Sequence, residues 1–174
     1  FEDALVHAWK YVSEQTSPKP DYVVILMCNA PMVVADQIDQ GIKMLEADPD
    51  ADSAVTVSKY NMWSPLRSRK LEPDGSLQPF VPFETFGDPA TLSCDRDSQG
   101  DVFYADMGAT ISRASALDDM ENGLLPQKWM GQKILPIDNY AGMDIDYDWQ
   151  IPIAEYWLKD HGFRQDVPAG QSNP

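Results

Sequence analysis

The chain has 174 residues, 13 Lys and Arg against 28 Asp and Glu, and a formal net charge of −15 at pH 7. That charge argues against a phosphate-backbone or anionic-membrane binder, since both need basic surface. A hydrophobic fraction of 43% with five Trp excludes a disordered acidic tail and fits one ordinary domain with a real core.

In chain order, residues 1–9 read as helix, with Phe1, Leu5, Ala8 and Trp9 on one side. An apolar residue opening a helix suggests a piece of a longer chain. Residues 22–27 (Tyr-Val-Val-Ile-Leu-Met) form a continuous apolar run without alternation. They predict a strand covered on both faces, as in the centre of a parallel sheet. Pro31 closes the loop after it. Residues 35–45 place Ile38, Ile42 and Leu45 on one helix face, and a crossover leads to a strand at 54–57.

Residues 60–99 are punctuated by Pro65, Pro73, Pro79, Pro82 and Pro89. They read as an irregular excursion, with a hairpin of strands 69–71 and 77–80 around the turn Pro73-Asp74-Gly75. Strands at 102–104 and 109–111 flank a kink at Gly108. A short helix at 115–121 stops at Gly123, and another strand covers 133–137. The clearest helix spans 151–161, with Pro152 in its first turn, Ile153, Trp157 and Leu158 making a face, and Gly162 after it. Residues 164–174 have little to bury and predict a disordered tail. The alternation of elements predicts α/β layers: a mostly parallel sheet between helices, three layers deep.

The two cysteines, Cys28 and Cys94, form no disulfide framework or zinc site and read as structural thiols of a cytoplasmic protein. Cys28 reads as buried and inert. The densest acidic cluster is Asp144, Asp146 and Asp148, directly before the last helix. In an extended segment, residues i and i+2 share a face about 6.6 Å apart, so Asp144 and Asp146 can aim at one hard cation. Magnesium suits one or two carboxylates plus substrate phosphate oxygens. A solvated strand end whose acids merely favour the helix start is the plainer alternative.

Residues 143–155 (Met-Asp-Ile-Asp-Tyr-Asp-Trp-Gln-Ile-Pro-Ile-Ala-Glu) resemble the C-terminal signature of the acylneuraminate cytidylyltransferases, the CMP-sialic acid synthetases and their bacterial relatives. The likeness continues upstream in order. Residues 22–31 resemble the family strand ending in a Gln-x-Thr-Ser-Pro loop. Residues 51–57 resemble its Asp-Ser-Val-x-Ser-Val strand. Trp63 and Asp74-Gly75 fall where the family has a Trp loop and an Asp-Gly turn. Residues 104–111 resemble its Tyr-x-Asn-Gly segment, and residues 131–133 its Gly-Lys segment.

This resemblance implies a GT-A-like nucleotide-diphospho-sugar transferase fold over residues 1–163, with 60–99 as a dimerisation excursion. It implies transfer of CMP from CTP to a sialic-acid-like (nonulosonate) sugar acid, with release of pyrophosphate. Asp144 and Asp146 would be catalytic and would hold Mg²⁺ or Mn²⁺. Asn29, Arg96, Tyr104 and Lys133 would bind substrate, with Arg96 or Lys133 meeting the sugar carboxylate. The implied partners are CTP, an acidic sugar and a second copy of the chain, without nucleic acid or membrane.

Several positions depart from the family pattern. Met27 replaces its Gln, Asn29 and Ala30 replace Thr-Ser, Met107 replaces its Asn, and Gln150 stands where its third Asp falls. The family's N-terminal Gly/Lys phosphate loop is not seen, and none of the ten glycines builds one. The expectation is therefore an N-terminally incomplete fold, inactive alone. The other reading is a non-catalytic sugar- or partner-binding module on the same fold.

Overall fold

The computed structural model describes residues 1–93 and 95–163. The expected tail at 164–174 and the thiol of Cys94 lie outside these residues. The chain divides into two compact units: Phe1–Val57 with the chain from Ala105, and Ser58–Tyr104 between them.

The first unit is built on a four-stranded mixed sheet. Its elements are α1 (Glu2–Gln15), β1 (Tyr22–Leu26), α2 (Ala35–Ala47), β2 (Ser53–Lys59), then β5 (Phe103–Arg113), α3 (Ala114–Asp118), β6 (Ile134–Asp138) and α4 (Ile151–Asp160). The strands lie in the order β1-β5-β2-β6. β2 and β6 are parallel, with Ser53 opposite Ile134 and Val57 opposite Asp138. β5 runs antiparallel to β1, with Tyr22 opposite Arg113 and Leu26 opposite Ala109.

The period-2 alternation of β2 sends side chains to two cores. Val55 and Val57 join Trp9 of α1, Ile25, Leu117 and Trp129 on one face. Ala54 joins Leu45 of α2, Ala109, Ile111 and Ile137 on the other. Helices thus cover both faces, and the chain has the expected three-layer α/β architecture. Gly41 permits the close approach of α2. A Cβ there would come within 2.7 Å of the Cδ1 atoms of both Ile111 and Ile137. Arg113 closes the C-terminal end of α2, where exposed carbonyls favour a cation. Its Nη2 donates to the carbonyls of Leu45 and of Asp48, and its Nε donates to that of Ala51.

Three local expectations are corrected. β1 is not covered on both faces: it is an edge strand, and Val24 and Leu26 are 39% and 55% exposed. α2 lies over β5 and β6, and on that side of β1 Tyr22 packs against its core while Val24 and Leu26 stay exposed, so an uninterrupted apolar run did not require a central position. The two strands expected around Gly108 are one strand, β5, and the positive φ falls on Met107 (60°). The helix after it ends at Asp118 and gives way to a 3₁₀ turn at Met120–Asn122.

The second unit holds the hairpin of β3 (Arg69–Leu71) and β4 (Leu77–Pro79), paired antiparallel. Gly75 takes φ 84° in its turn, and Ser76 N–H donates to Asp74 Oδ1 at 2.9 Å. The ends of this unit are tied together by Tyr60 N–H donating to Val102 O (2.9 Å) and by the Lys59–Asp101 ion pair (2.6 Å). Among the described residues no helix is long and apolar enough to cross a membrane.

Candidate functional site

The C-terminal ends of β1, β2 and β6 lie at one edge of the sheet, and the segments leaving them are hydrogen-bonded together there. Ile145 N–H donates to Asn29 O at 2.7 Å, which ties the loop after β1 to the stretch carrying Asp144 and Asp146. Asn139, just past β6, donates its backbone N–H to Val57 O (2.9 Å) and its Nδ2 to Met32 O (2.8 Å). α4 backs this corner. Its Ala154 and Trp157 pack on Met32, Met143 and Ile145, and Trp157 Nε1 donates to Tyr140 O at 2.7 Å. The edge beyond the carboxyl ends of sheet strands is where α/β folds bind ligands.

Asp144 is half-buried and Asp146 exposed. Among the described residues neither carboxylate takes part in a hydrogen bond or ion pair. The backbone between them and α4 is fixed by Gln150, whose buried Oε1 accepts the N–H groups of Asp146 and Tyr147, each at 2.7 Å. Among the described residues no group of three or more His, Cys, Asp and Glu is arranged around a metal. Two hard oxygen donors two residues apart still fit Mg²⁺, which takes the rest of its shell from phosphate and water.

Asn29 is therefore brought to the Asp144–Asp146 segment through its backbone. Lys133 is not. It precedes β6 at the opposite end of that strand, and its Nζ is paired with Asp48 at 2.8 Å. That contact raises the Lys133 pKa and holds Asp48 below the usual aspartate range. Arg96 belongs to the second unit and pairs with its neighbour Asp97 at 3.2 Å. Tyr104, also of that unit, donates its hydroxyl to Trp63 O and packs edge-to-face on Trp63 and Tyr60. Cys28 is exposed, which corrects the expectation of a buried thiol: it follows β1 into a loop whose buried positions are Ala30 and Met32.

Beneath this edge lies a buried polar cluster that no sequence motif announces. Asp106 is 6% exposed. Its Oδ1 accepts from Thr56 Oγ1 at 2.6 Å and from Gly108 N–H at 3.1 Å. Thr56 Oγ1 in turn accepts from Ala109 N–H at 3.0 Å. A Cβ on Gly142 would lie 2.3 Å from both Asp106 Oδ2 and Asn139 Nδ2, so the chain after β6 presses directly on this cluster. Met107 and Ala141 flank it with φ of 60° and 59°, a conformation that costs an L-residue about 1–2 kcal/mol and persists where surroundings over-determine it. The available signal was an acid in a strand whose every second residue onward, Gly108, Thr110 and Ser112, is small or polar and uncharged.

No family model matches the chain, and no curated protein matches it. Solved structures do. One is described as the structure of CMP:2-keto-3-deoxy-manno-octonic acid synthetase complexed with CTP. It is 12% identical with a TM-score of 0.56, and the match covers 92% of this chain and 68% of that one. Another is 4-diphosphocytidyl-2C-methyl-D-erythritol synthase from Anaerococcus prevotii DSM 20548, 11% identical with a TM-score of 0.54, covering 91% of this chain and 63% of that one. The chain thus spans about two thirds of the length of each. At such low identity the likeness establishes the fold alone: a mixed α/β sheet flanked by helices, shared with these two synthases.

Proposed function

We propose that this chain carries the metal-binding and sugar-side part of a cytidylyltransferase, acting on CTP and an acidic sugar of the nonulosonate kind. The observation that carries the reading is the pair Asp144 and Asp146. Both carboxylates lack a protein partner among the described residues, on a segment hydrogen-bonded to the Asn29 loop at the carboxyl edge of the sheet. The shared fold supports it, since one neighbour is described as complexed with CTP. The ordered resemblance to acylneuraminate cytidylyltransferases supports the choice of sugar.

In this reading Asp144 and Asp146 hold one Mg²⁺ or Mn²⁺. When bound, the ion neutralises triphosphate charge and acts as a Lewis acid at the phosphoryl group. Gln150 fixes the backbone of Asp146, and the Asn29 loop sets the position of Ile145 between the two acids. Phosphoryl transfer is governed by positioning and electrostatics, so the work of these residues is geometric. The triphosphate also needs backbone N–H groups and cations, which the Gly/Lys loop supplies in the resembled family. No such loop occurs in the 174 residues. We therefore propose that the chain alone binds CTP–Mg²⁺ weakly and does not turn it over. Pairing of two copies through residues 60–99, and a cytoplasmic setting, belong to the same proposal.

A second reading, a binding module on the same fold, is favoured by the ion pairs that occupy Lys133 and Arg96, the two cations expected to meet the sugar carboxylate. Calorimetry with CTP and Mg²⁺ tests the metal assignment. Binding heat should depend on Mg²⁺ and be lost in Asp144→Asn/Asp146→Asn, while Asp48→Asn leaves it unchanged. Equal heats for wild type and the double variant would remove the two aspartates from the site.

A further inference from the structure

The second unit contains a cavity of about 390 Å³ lined by Leu66, Arg67, Arg69, Phe83, Leu92 and Ser93, with Pro89 at its margin. All of these residues lie within Ser58–Tyr104. Such a volume falls in the range of pockets that take small molecules, about 300–1,000 Å³.

Its chemistry runs against that of the chain. The protein carries a net charge of −15, yet two of its 13 Lys and Arg residues share this wall. Arg69 is held in place without a counter-charge. Its Nη1 donates to the carbonyls of Leu66 (2.9 Å) and Ser68 (3.0 Å), and its guanidinium carbon lies 5.3 Å from the centre of the Phe83 ring. Among the described residues it has no carboxylate partner. Several other basic groups do have one, such as Lys19 with Asp118, Lys59 with Asp101, Arg96 with Asp97 and Lys133 with Asp48, while Arg113, likewise held by carbonyls, does not line this cavity. A guanidinium fixed by neutral acceptors and a ring face retains donors and its full charge, and little is lost in ordering it when an anion arrives.

The remaining wall selects among anions. Leu66, Phe83 and Leu92 are each half-buried and offer apolar surface beside the charge. A wholly hydrated anion such as inorganic phosphate satisfies only the Arg69 charge, and a neutral apolar compound satisfies only the ring and leucines. An organic anion with a compact aryl or alkyl body satisfies both, through a forked guanidinium contact at its head and packing on Phe83 along its body. We infer that this cavity is a binding site for a small organic carboxylate or phosphate with an apolar body. The inference is independent of Asp144 and Asp146 and of any transfer reaction.

Titration of the full 174-residue chain, followed by ¹H–¹³C shifts of the Phe83 ring and ¹H–¹⁵N shifts of the Arg69 side chain, tests it with four probes. Phenyl phosphate and benzoate represent the two head groups, and the tighter of them identifies the class. Benzyl alcohol and inorganic phosphate are the single-feature controls. Both aryl anions should bind at least about tenfold tighter than either control, from the gain of a charge-assisted contact together with ring burial. Arg69→Gln should weaken them by about tenfold or more, and Arg69→Lys, which keeps charge but not the fork, should recover only part of that. Lys133→Gln should have no effect. Equal binding of benzyl alcohol, equal binding of inorganic phosphate, saturation by none of the probes, or unchanged affinity in a folded Arg69→Gln variant would each overturn the assignment.

Discussion

Thr56 offers a sharp test of the polar cluster beneath the candidate site. The residue is fully buried, and its hydroxyl does two things: it donates to Asp106 Oδ1 at 2.6 Å and accepts from Ala109 N–H at 3.0 Å. Thr56→Val keeps the volume and removes both bonds. A hydrogen bond to a carboxylate is worth about 1.5–3 kcal/mol, and a buried N–H left without an acceptor costs about 1–3 kcal/mol. The expected loss is about 3 kcal/mol. Thr56→Ser does the opposite: it keeps both bonds and deletes one buried methyl, at a cost of about 1 kcal/mol. The larger change in volume should therefore be the milder one. Urea unfolding monitored by circular dichroism measures both. With a slope of about 2 kcal/mol/M, the Val variant should lose about 1.5 M in midpoint and the Ser variant about 0.5 M. A Val variant as stable as the Ser variant would show that packing alone governs this position, and that Asp106 is not anchored through Thr56.

Gly142→Ala should destabilise by about 3 kcal/mol in the same assay, because its Cβ would meet Asp106 Oδ2 and Asn139 Nδ2 at 2.3 Å, well inside contact distance; an unchanged midpoint would show that the loop yields freely. Gln150→Ala strips the acceptor from the N–H groups of Asp146 and Tyr147, so it should cost about 1–3 kcal/mol in stability and weaken Mg²⁺-dependent CTP binding about 10–100-fold, with Gln150→Glu recovering most of both by calorimetry. Asp118 is held below the usual aspartate value of 3.8 by the Lys19 ammonium and then by the Trp9 indole N–H, so the Trp9 Nε1–H resonance should titrate with a midpoint below 3.8. The stability from this depressed acid is fully present above the unfolded-state value and is lost as pH falls through the folded one. A Trp9 midpoint at or above 3.8 would remove Asp118 as its partner.

The layers of the fold were legible because they are written locally. Ile38, Ile42 and Leu45 mark the buried face of α2, Pro152 and Gly162 bracket α4, and Asp74-Gly75 fixes the hairpin. The edge position of β1 was not legible, since an apolar run reports composition and not how far a covering helix reaches. The Asp144–Asp146 pair was visible as a spacing, and Gln150 drew notice only as a departure, whereas the structure gives it the task of holding the backbone before α4. Asp106 was missed for a physical reason: its partner Thr56 is 50 residues away, and no local pattern encodes that meeting. Lys133 entered the expected site through the resemblance alone; chain direction already puts a residue that precedes β6 at the end of that strand opposite Asp144, and there it pairs with Asp48.

The bare margin of β1 has a bearing on how this protein behaves in the tube. Val24 and Leu26 lie on an uncharged, proline-free strand at the rim of the sheet, a surface that invites pairing with another such strand. Near neutrality, like charge on every molecule keeps two rims apart. Acidification toward the isoelectric point of about 4.2 removes that repulsion. Clouding on mild acidification, reversed by salt-free return to pH 7 and suppressed by Leu26→Lys, is the colloidal signature this rim should leave.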